Sequence, residues 1–367
     1  MTPILYIGIS QAFFAGLFIA VKKEQNTSDK LLTVLLFLIA AEMSFTLLKN
    51  KILLFTEIPP VLPLAFGPLV FLYVKSLISE EFKLSYKSLL HFIPFTAFLI
   101  ATLIFIDKPI LPGKNFFENN QFLPYRIAYG ISFFVINTTY VILSFILVYK
   151  HQKNIKNIFS YTSEKITLSW LKIVLFSFLF AYIILYITGA WYLIENKNFY
   201  LKNINPIEFS YIGLTFFSFA FSFFGFKQLS VYKETSENIK KPKYLSSGLN
   251  DETAQEYLEK LLHLIKTEKP YLDEKLTVSE LAEKLNISRH HLTQIISEKL
   301  NKNFYTFINE FRIEEVKKMF LDKKKEYYTI LAVAYECGFN SKSTFNTLFK
   351  KYTGLTPSEY RKKVQTA

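Results

Sequence analysis

Seven long apolar stretches before residue 227 constrain the fold of this chain more than any other feature. A helix needs about 20 apolar residues to cross a bilayer. The first stretch has no basic region before it and no convincing cleavage site of small residues, and six more follow, so it is not a signal peptide. The stretches are Pro3 to Val21, Leu31 to Leu48, Val61 to Ile78, Leu89 to Ile106, Ile127 to Tyr149, Ser169 to Ile194, and Ile207 to Phe226. They predict an all-α chain whose residues 1–227 form a seven-helix transmembrane bundle.

Composition separates this part from the rest. The 367 residues are 51% hydrophobic and 20% charged, and nearly all long apolar runs precede Phe226. The formal net charge is +13, but about half of the surplus lies in loops between apolar runs, where it bears on membrane topology as much as on nucleic acid. The single cysteine, Cys337, excludes an intramolecular disulfide and a multi-cysteine metal site, and we interpret it as a buried structural thiol.

Basic residues in the loops predict an orientation. If the C-terminal domain is cytoplasmic, an odd number of spans places Met1 outside. The loops inside then carry the larger share of lysine, as the positive-inside rule requires. These inside residues are Lys22, Lys23, Lys30, Lys75, Lys83, Lys87, Lys150, Lys153, Lys156 and Lys165. We therefore expect a multi-pass protein of the cell's inner (cytoplasmic) membrane, with its N-terminus outside, its C-terminal domain in the cytoplasm and the lipid bilayer as a partner.

Polar groups inside the apolar stretches mark a candidate signal pocket. Ionisable groups there are costly and are functional candidates by default, although Glu42 can instead pair with a neighbouring helix. The residues are Glu42, His91, Asn137, Thr138 and Glu208. The signal itself, a small molecule or a membrane component, is open. The chain has no two-metal carboxylate cluster, nucleophile elbow or phosphate-binding glycine loop, so it predicts no enzyme, no cofactor and no metal.

Near the C-terminus, a helical hairpin surrounds Gly338. Thr329 and Ser341 are expected to cap its two helices, and Gly338 suits the left-handed turn between them. Apolar residues at i, i+3 and i+4 would pack the second helix onto the first. The outer face keeps Lys342, Ser343, Asn346 and Thr347. The pattern is that of a helix-turn-helix with a polar reading face, or of an ordinary helical hairpin.

A second copy of this pattern lies upstream. Thr277 and Glu280 form a capping box, Asn286 takes the turn position and Ser288 caps the next helix. Its exposed residues are Arg289, His290, Thr293 and Gln294. Between the copies, Phe304 to Leu321 has the apolar stripe of a helix about 27 Å long. Such a strut would hold two reading helices about one DNA turn apart, roughly 34 Å, so that one chain reads two adjacent elements of double-stranded DNA.

We accordingly divide the chain into three parts: residues 1–227 as a membrane domain, 228–251 as a juxtamembrane linker, and 252–367 as a soluble domain with two helix-turn-helix units joined by a long helix. A homodimer is kept open as a further partner arrangement.

The soluble domain closely resembles the DNA-binding domain of AraC/XylS-type transcription regulators, and its second half does so most specifically. The resemblance covers about Tyr257 to Arg361 and rests on Asn309 to Arg312, Ile330 to Phe339, and Phe345 to Arg361. It implies that the exposed residues of both second helices face base edges. It also makes Arg312, Lys350, Lys351 and Arg361 phosphate or scaffold candidates.

The apolar part resembles a membrane-embedded subgroup of the same regulators. The residues concerned are Phe66 to Leu69, Tyr73 to Leu77, and His91 to Pro94. The soluble sugar-binding barrel of better-known members is absent, so a sugar ligand of the arabinose type is not inferred for this chain. These features together favour a membrane-bound, one-component transcription regulator controlled by a signal at the membrane. The alternative is a receptor or transporter whose C-terminal module binds a protein partner.

Overall fold

The computed structural model describes residues 2–49, 61–79, 82–106, 123–195, 206–227 and 250–365. The predicted linker, residues 228–251, lies almost wholly outside these ranges. The chain divides into two compact units. The first comprises Met1–Tyr149 and Leu168–Glu234, and the second comprises Lys150–Thr167 and Thr235–Ala367. The second unit is therefore assembled from two stretches that are separated in the sequence. The predicted boundary at residue 227 does not anticipate this division.

Seven helices build the described part of the first unit, and each coincides with one predicted apolar stretch. They are α1 (Thr2–Ala20), α2 (Thr27–Lys49), α3 (Phe66–Ile78), α4 (Ile93–Ile106), α5 (Leu123–Asn154), α6 (Trp170–Glu195) and α7 (Pro206–Lys227). Short helical turns precede α3, α4 and α6, at Leu62–Ala65, Tyr86–Phe92 and Glu164–Thr167. The last turn of α5 extends into the second unit.

Length and composition make several of these helices suited to a bilayer. In the described residues, five helices are long and apolar enough to cross a membrane, and two shorter apolar helices cover Leu62–Ile78 and Tyr211–Phe226. Large apolar side chains such as Phe14, Phe180 and Phe216 are more than half exposed. An apolar surface of this kind is typical of membrane or protein contact rather than of a soluble exterior.

Small residues allow the helices of the first unit to approach closely. α1 packs against α2 and α7, and α7 packs against α6. A Cβ added at Gly213 on α7 would lie 3.1 Å from Cα of Ala181 on α6. A Cβ at Gly225 would collide with a methyl group of Leu32. Helices in apolar surroundings associate through such small-residue contacts, because van der Waals packing is their main attraction.

The second unit is also helical in its described residues. Its helices are α8 (Asp251–Glu268), α9 (Val278–Lys284), α10 (Arg289–Leu300), α11 (Phe304–Leu321), α12 (Ile330–Glu336), α13 (Lys342–Thr353) and α14 (Pro357–Gln365). A turn at Pro270–Leu272 joins α8 to α9, and another at Lys323–Lys325 precedes α12. This element order is the predicted one, with two helix pairs on either side of a long helix.

The long helix α11 serves two apolar clusters. Its first half contributes Phe304, Phe307 and Ile308 to a cluster that also contains residues of α8, α9 and α10. Its second half contributes Ile313, Val316 and Phe320 to a cluster with α12 and α13. Each helix pair thus has its own core, and α11 is the element that both cores share. The predicted apolar stripe of this helix is confirmed.

Candidate nucleic-acid interface

Capping sets the start of both helices in the second pair, as predicted. The hydroxyl oxygen of Thr329 accepts a hydrogen bond from the Ala332 amide at 3.1 Å, and that of Ser341 accepts one from the Thr344 amide at 3.4 Å. Each bond satisfies an amide that has no partner within its helix. Gly338 lies between the helices with φ of +84°, the left-handed conformation predicted for it.

Gly338 is required for a second reason that its turn conformation does not explain. A Cβ at this position would lie 2.5 Å from the carbonyl oxygen of Tyr271 and 2.8 Å from that of Leu272. These are backbone atoms of the turn between α8 and α9, and they cannot rotate away. Gly338 therefore lets the second helix pair pack directly on the backbone that leads into the first pair.

The first helix pair begins and turns in the predicted way. The Thr277 amide donates to the Glu280 carboxylate at 2.7 Å, and the Glu280 amide donates back to the Thr277 hydroxyl at 3.3 Å. Asn286 occupies the turn with φ of +55°. The Ser288 hydroxyl accepts from the His291 amide at 3.1 Å and caps α10. The two pairs thus use the same local chemistry, which confirms the predicted capping and turn residues of both pairs.

The outer faces of α10 and α13 carry the predicted reading residues. Arg289 and His290 are exposed in the first turn of α10, whereas Thr293 and Gln294 are half-buried. The Thr293 hydroxyl donates to the Arg289 carbonyl at 2.8 Å, and the Gln294 amide donates to Glu298 at 3.1 Å. On α13 the predicted reading residues are all exposed, namely Lys342, Ser343, Asn346 and Thr347. Side chains of these types can donate to or accept from base edges and phosphates.

A basic end and a shallow depression extend the α13 surface. Lys350 and Lys351 are exposed in its last turns. The depression, with a volume of about 320 Å³, lies between α13 and the start of α14. Its lining residues are Asn346, Thr347, Lys350, Thr356, Pro357 and Ser358. Polar and basic groups therefore continue from the reading face of α13 to the first turn of α14.

Arg312 and Arg361 hold parts of the domain together. Arg312 is only 1% exposed, and its Nε donates to the Tyr271 carbonyl at 2.7 Å while Nη2 donates to the Asp273 carbonyl at 2.6 Å. Burial lowers the pKa of Arg312 to about 10, so the guanidinium is charged at neutral pH. Arg361 donates to the carbonyls of Glu326 and Tyr328. Of the two roles considered for these arginines, their contacts support the scaffold role, because the guanidinium donors are directed to backbone carbonyls.

Cys337 is a buried thiol inside the cluster of the second pair, as predicted. Its accessible surface is zero, and its sulfur lies 3.3 Å from the sulfur of Met319. Burial, together with the carboxylates of Glu315 and Glu336, raises the pKa of this thiol to about 12. The thiolate is therefore scarce at neutral pH, which makes the side chain a packing group. Among the described residues, there is no group of three or more His, Cys, Asp or Glu that could hold a metal ion.

Comparison with known proteins agrees with this geometry. Residues 281–363 match the family described as "Helix-turn-helix domain". An uncharacterized HTH-type transcriptional regulator of Staphylococcus aureus (strain COL) is 37% identical over 91 residues, which are 25% of this chain and 12% of that protein. The melibiose operon regulatory protein of Escherichia coli (strain K12) is 30% identical over 109 residues, which are 30% of this chain and 34% of that protein.

Residues 281–363 form a helix-turn-helix domain. This supports the resemblance of the C-terminal region to AraC-type regulators. The chain spans about an eighth and a third of the length of the two curated relatives, so the likeness concerns this domain alone. A solved structure of a protein of unknown function from Listeria innocua matches with 24% identity and a TM-score of 0.26, covering 29% of this chain and 94% of that chain.

A short segment before α6 forms an unexpected contact with the helix-turn-helix domain. Residues 158–162 belong to the same compact unit, and the Ser160 carbonyl accepts hydrogen bonds from Asn309 Nδ2 at 2.8 Å and Arg312 Nη1 at 3.0 Å. Sequence reasoning missed this segment, because its partners are some 150 residues away. A weak signal was present, since Ile155, Ile158 and Phe159 are apolar residues close together in a loop that is mostly polar, and they need burial.

The residues of the candidate signal pocket contact different neighbours. Glu42 is 5% exposed on α2. His91 Nδ1 lies 2.8 Å from the Tyr140 hydroxyl, the Thr138 hydroxyl lies 3.1 Å from that of Tyr182, and Asn137 Nδ2 donates to the Phe133 carbonyl at 2.9 Å. The hydrogen bonds of these three residues thus lead to three different partners.

Two further details concern this candidate pocket. The Oδ1 atom of Asn137 is buried without a hydrogen-bond partner, and it faces Gly67, where an added Cβ would lie 2.9 Å away. Glu208 lies in α7, but its side chain is outside the described residues. A single pocket formed by all five residues therefore stays a prediction.

Proposed function

We propose that this chain is a membrane-bound, one-component transcription regulator of the AraC type that reads two adjacent DNA elements with α10 and α13. One observation carries the proposal: both helices present exposed polar residues, and each follows a capped helix and a left-handed turn residue within one helix-turn-helix region. A repeated unit of this kind suits two successive major grooves on one face of the duplex.

The proposed division of labour follows from side-chain chemistry. Arg289, His290, Lys342 and Asn346 are exposed near the starts of the two helices, where recognition helices meet base edges. Each good bidentate contact contributes about 1–3 kcal/mol of discrimination between bases. Lys350 and Lys351, near the end of α13, are assigned to phosphates, which position the domain without reading the sequence.

The membrane location is supported by the apolar helices and by the way in which two separate stretches of the chain form the second unit. α6 and α7 lie in the sequence between the two stretches that form this unit. Both stretches must be on one side of a membrane to form one compact unit, so a crossing by α6 requires a return by α7. The proposed topology has seven spans in residues 1–227, the N-terminus outside, and a cytoplasmic DNA-binding domain beginning near residue 252.

The proposed input is a signal recognised within or at the outer side of the apolar helices. The candidate residues are Glu42, His91, Asn137, Thr138 and Glu208. A ligand shifts such an equilibrium only by its difference in affinity for two states, so the signal must bind one arrangement of the helices better than another.

The experiment uses the full chain in lipid nanodiscs and selects duplexes from a randomised pool. We expect a selected duplex with two protected elements whose centres are about one helical turn apart. Asn346→Ala should relax base preference at one position. Lys266→Ala is the matched control, because Lys266 is an exposed basic residue on α8 and not on a reading helix. Binding that is equal for all duplexes, without a footprint, would contradict the proposed function.

A further inference from the structure

The junction between the two helix pairs is polar and buried. Asn309 and Arg312 lie in the middle of α11, between the residues that serve the first apolar cluster and those that serve the second. Each of these two side chains is 1% exposed. A buried guanidinium and a buried amide need hydrogen-bond partners, since leaving such groups unsatisfied is costly. A large part of their hydrogen bonding is met by the segment 158–162.

Backbone atoms of this segment pair with the strand-like stretch that leads into α9. The Val278 amide donates to the Ile158 carbonyl at 2.8 Å, and the Ser160 amide donates to the Leu276 carbonyl at 3.2 Å. Phe159 and Thr277 form an antiparallel bridge. Ser160 itself is completely buried, and Phe159 is 2% exposed. The segment is thus joined to the first helix pair by one isolated antiparallel bridge, with Phe159 buried beside it.

The same segment reaches the second helix pair. The hydroxyl oxygens of Thr162 and Thr344 lie 3.5 Å apart, and Thr344 is in the first turn of α13. The segment therefore contacts both halves of the domain as well as the strut between them. Even so, Lys342, Ser343, Asn346 and Thr347 stay exposed beside it. The docked segment leaves the reading face of α13 open.

We propose that residues 158–162 are a brace that fixes the two helix pairs relative to each other, with Ser160, Asn309 and Arg312 as positioning residues for reading two DNA elements. This inference rests on the proposed function. Two reading helices bind adjacent elements together only if their spacing is held, because a flexible connection loses orientational freedom on binding. α11 alone gives the distance between the two clusters, and the brace restrains rotation of one cluster about the strut.

The brace also connects DNA reading to the apolar helices through the chain itself. Its two ends continue into α5 and α6. Where they meet, His151 Nε2 lies 2.8 Å from the Ile166 carbonyl oxygen and Gln152 Nε2 donates to the Thr167 carbonyl at 2.9 Å. Two residues before the start of α6, the fully buried Leu168 has φ of +51°, a strained conformation for a leucine. The two hydrogen bonds close the base of the loop that carries the brace.

The first test compares Ser160→Pro with Ser160→Ala in the full chain in nanodiscs. Proline removes the amide bonded to Leu276 and the hydroxyl, whereas alanine removes only the hydroxyl and keeps both backbone groups. The probe is the duplex selected by the unchanged chain. We expect Ser160→Pro to bind about tenfold more weakly or worse, with protection of only one element, and Ser160→Ala to lie between the two.

The readouts separate the possible failures. Amide hydrogen exchange at Val278 reports release of the segment, and unchanged circular dichroism reports that the helices remain. A Ser160→Pro chain that has released the segment and still protects both elements with unchanged affinity would overturn the brace. An unchanged chain without any footprint would overturn the proposed function, and the brace with it.

A crosslink tests the same idea without disrupting the fold. In a Cys337→Ala background, Thr162→Cys and Thr344→Cys place two thiols where two hydroxyl oxygens now lie 3.5 Å apart. Oxidation then locks the segment onto α13. We expect the oxidised chain to protect both elements with an affinity within about twofold of the reduced chain, because the brace is already docked in the reading state. Loss of binding on oxidation, restored by a reductant, would show that the segment must leave and would overturn the proposal.

Discussion

The guanidinium of Arg312 donates to both oxygen atoms of Ser160, to the carbonyl at 3.0 Å from Nη1 and to the hydroxyl at 2.9 Å from Nη2. The two residues are 152 positions apart, and two apolar helices lie between them in the sequence. Both are buried. A fork of two parallel hydrogen bonds fixes direction as well as distance, which a lysine could not do. The pair accordingly orients the segment on α11 rather than merely attracting it.

Replacing Arg312 should therefore open the junction. Arg312→Met removes the donors for three carbonyl groups, those of Ser160, Tyr271 and Asp273. We expect a loss of roughly 3–5 kcal/mol in the stability of the second unit. Hydrogen exchange of the amides at Ser160 and Val278 should accelerate most. Arg312→Lys keeps the charge and serves as the control, with a smaller loss. Unchanged exchange in Arg312→Met would contradict the assigned contacts.

Comparing two glycines in left-handed conformations allows the steric cost of an added side chain at Gly338 to be measured. Gly354 has φ of +76°, similar to the +84° of Gly338, but an added Cβ there meets nothing within 4 Å. We expect Gly354→Ala to cost about 1 kcal/mol, from backbone conformation alone. Gly338→Ala should cost about 2–4 kcal/mol, because it also meets the Tyr271 carbonyl. Chemical denaturation of both variants gives the difference, and equal losses would mean that the turn backbone yields freely.

Cys337 should make the stability of the second helix pair fall at alkaline pH. Burial raises its pKa to about 12 from an ordinary value near 9. Above about pH 9 the unfolded chain releases the thiol proton while the folded chain keeps it, so the unfolded chain binds fewer protons and stability decreases as pH rises. Below pH 9 this contribution is fully present. Comparing unfolding of the unchanged chain with Cys337→Ala between pH 7 and 11 isolates it, since lysine and tyrosine titrate in both.

The same thiol is a reporter of opening. As the single cysteine of the chain, it should react with a thiol reagent at pH 8 only when the second cluster opens. The reaction should be slow in the native chain and fast in denaturant. Rapid labelling without denaturant would contradict the described burial of Cys337.

Phosphate and base contacts should differ in their salt dependence. Lys350→Ala should weaken binding to all duplexes by a similar factor and reduce the slope of log affinity against log salt by about 1. Asn346→Ala should leave that slope unchanged and reduce the preference for the selected duplex by about 1–3 kcal/mol. Lys266→Ala is expected to change neither quantity. Reversal of the first two results would exchange the proposed assignments of Lys350 and Asn346.

Glu42 offers a test of signalling in cells. Its side chain is nearly buried on α2, and glutamine has the same shape without the charge. We expect Glu42→Gln to keep basal reporter output and to lower the signal-induced change by about fivefold or more, as for a lost coupling energy of 1 kcal/mol or above. Ser44→Ala, on the same helix, is a control, since the Ser44 hydroxyl donates to the Ala40 carbonyl of its own helix. An unaltered response would remove Glu42 from the candidate pocket.

Local features of the second unit were predictable because they depend on neighbouring residues. The caps at Thr277, Ser288 and Ser341 and the left-handed turns at Asn286 and Gly338 all follow from short-range geometry, and each was confirmed. The apolar stretches before residue 227 were recognisable for the same reason, since length and composition suffice to identify a helix suited to a bilayer.

Contacts between distant residues were not predictable in this way. The pairing of Ser160 with Arg312 produces no periodic pattern in either stretch. The sequence also does not distinguish a buried arginine from an arginine that binds phosphate. The close approach of Gly338 to the Tyr271 carbonyl was not predicted, because the left-handed turn already accounted for a glycine at this position. The polar residues of the candidate pocket could be recognised in the sequence, because placing such groups within an apolar stretch is costly. Their partners could not be predicted, because these depend on helix packing, which composition does not specify.

The discontinuous second unit also limits how this protein can be rearranged. α6 and α7 are an insertion within the DNA-binding unit, because residues 150–167 precede them and the rest of the unit follows. During synthesis the brace is made before α11, so it can dock only after α11 has been synthesised. A chimaera that exchanges only the residues after α7 would join a foreign strut to an unrelated brace. Recombination that preserves function in this architecture must therefore transfer the loop between α5 and α6 together with the C-terminal region.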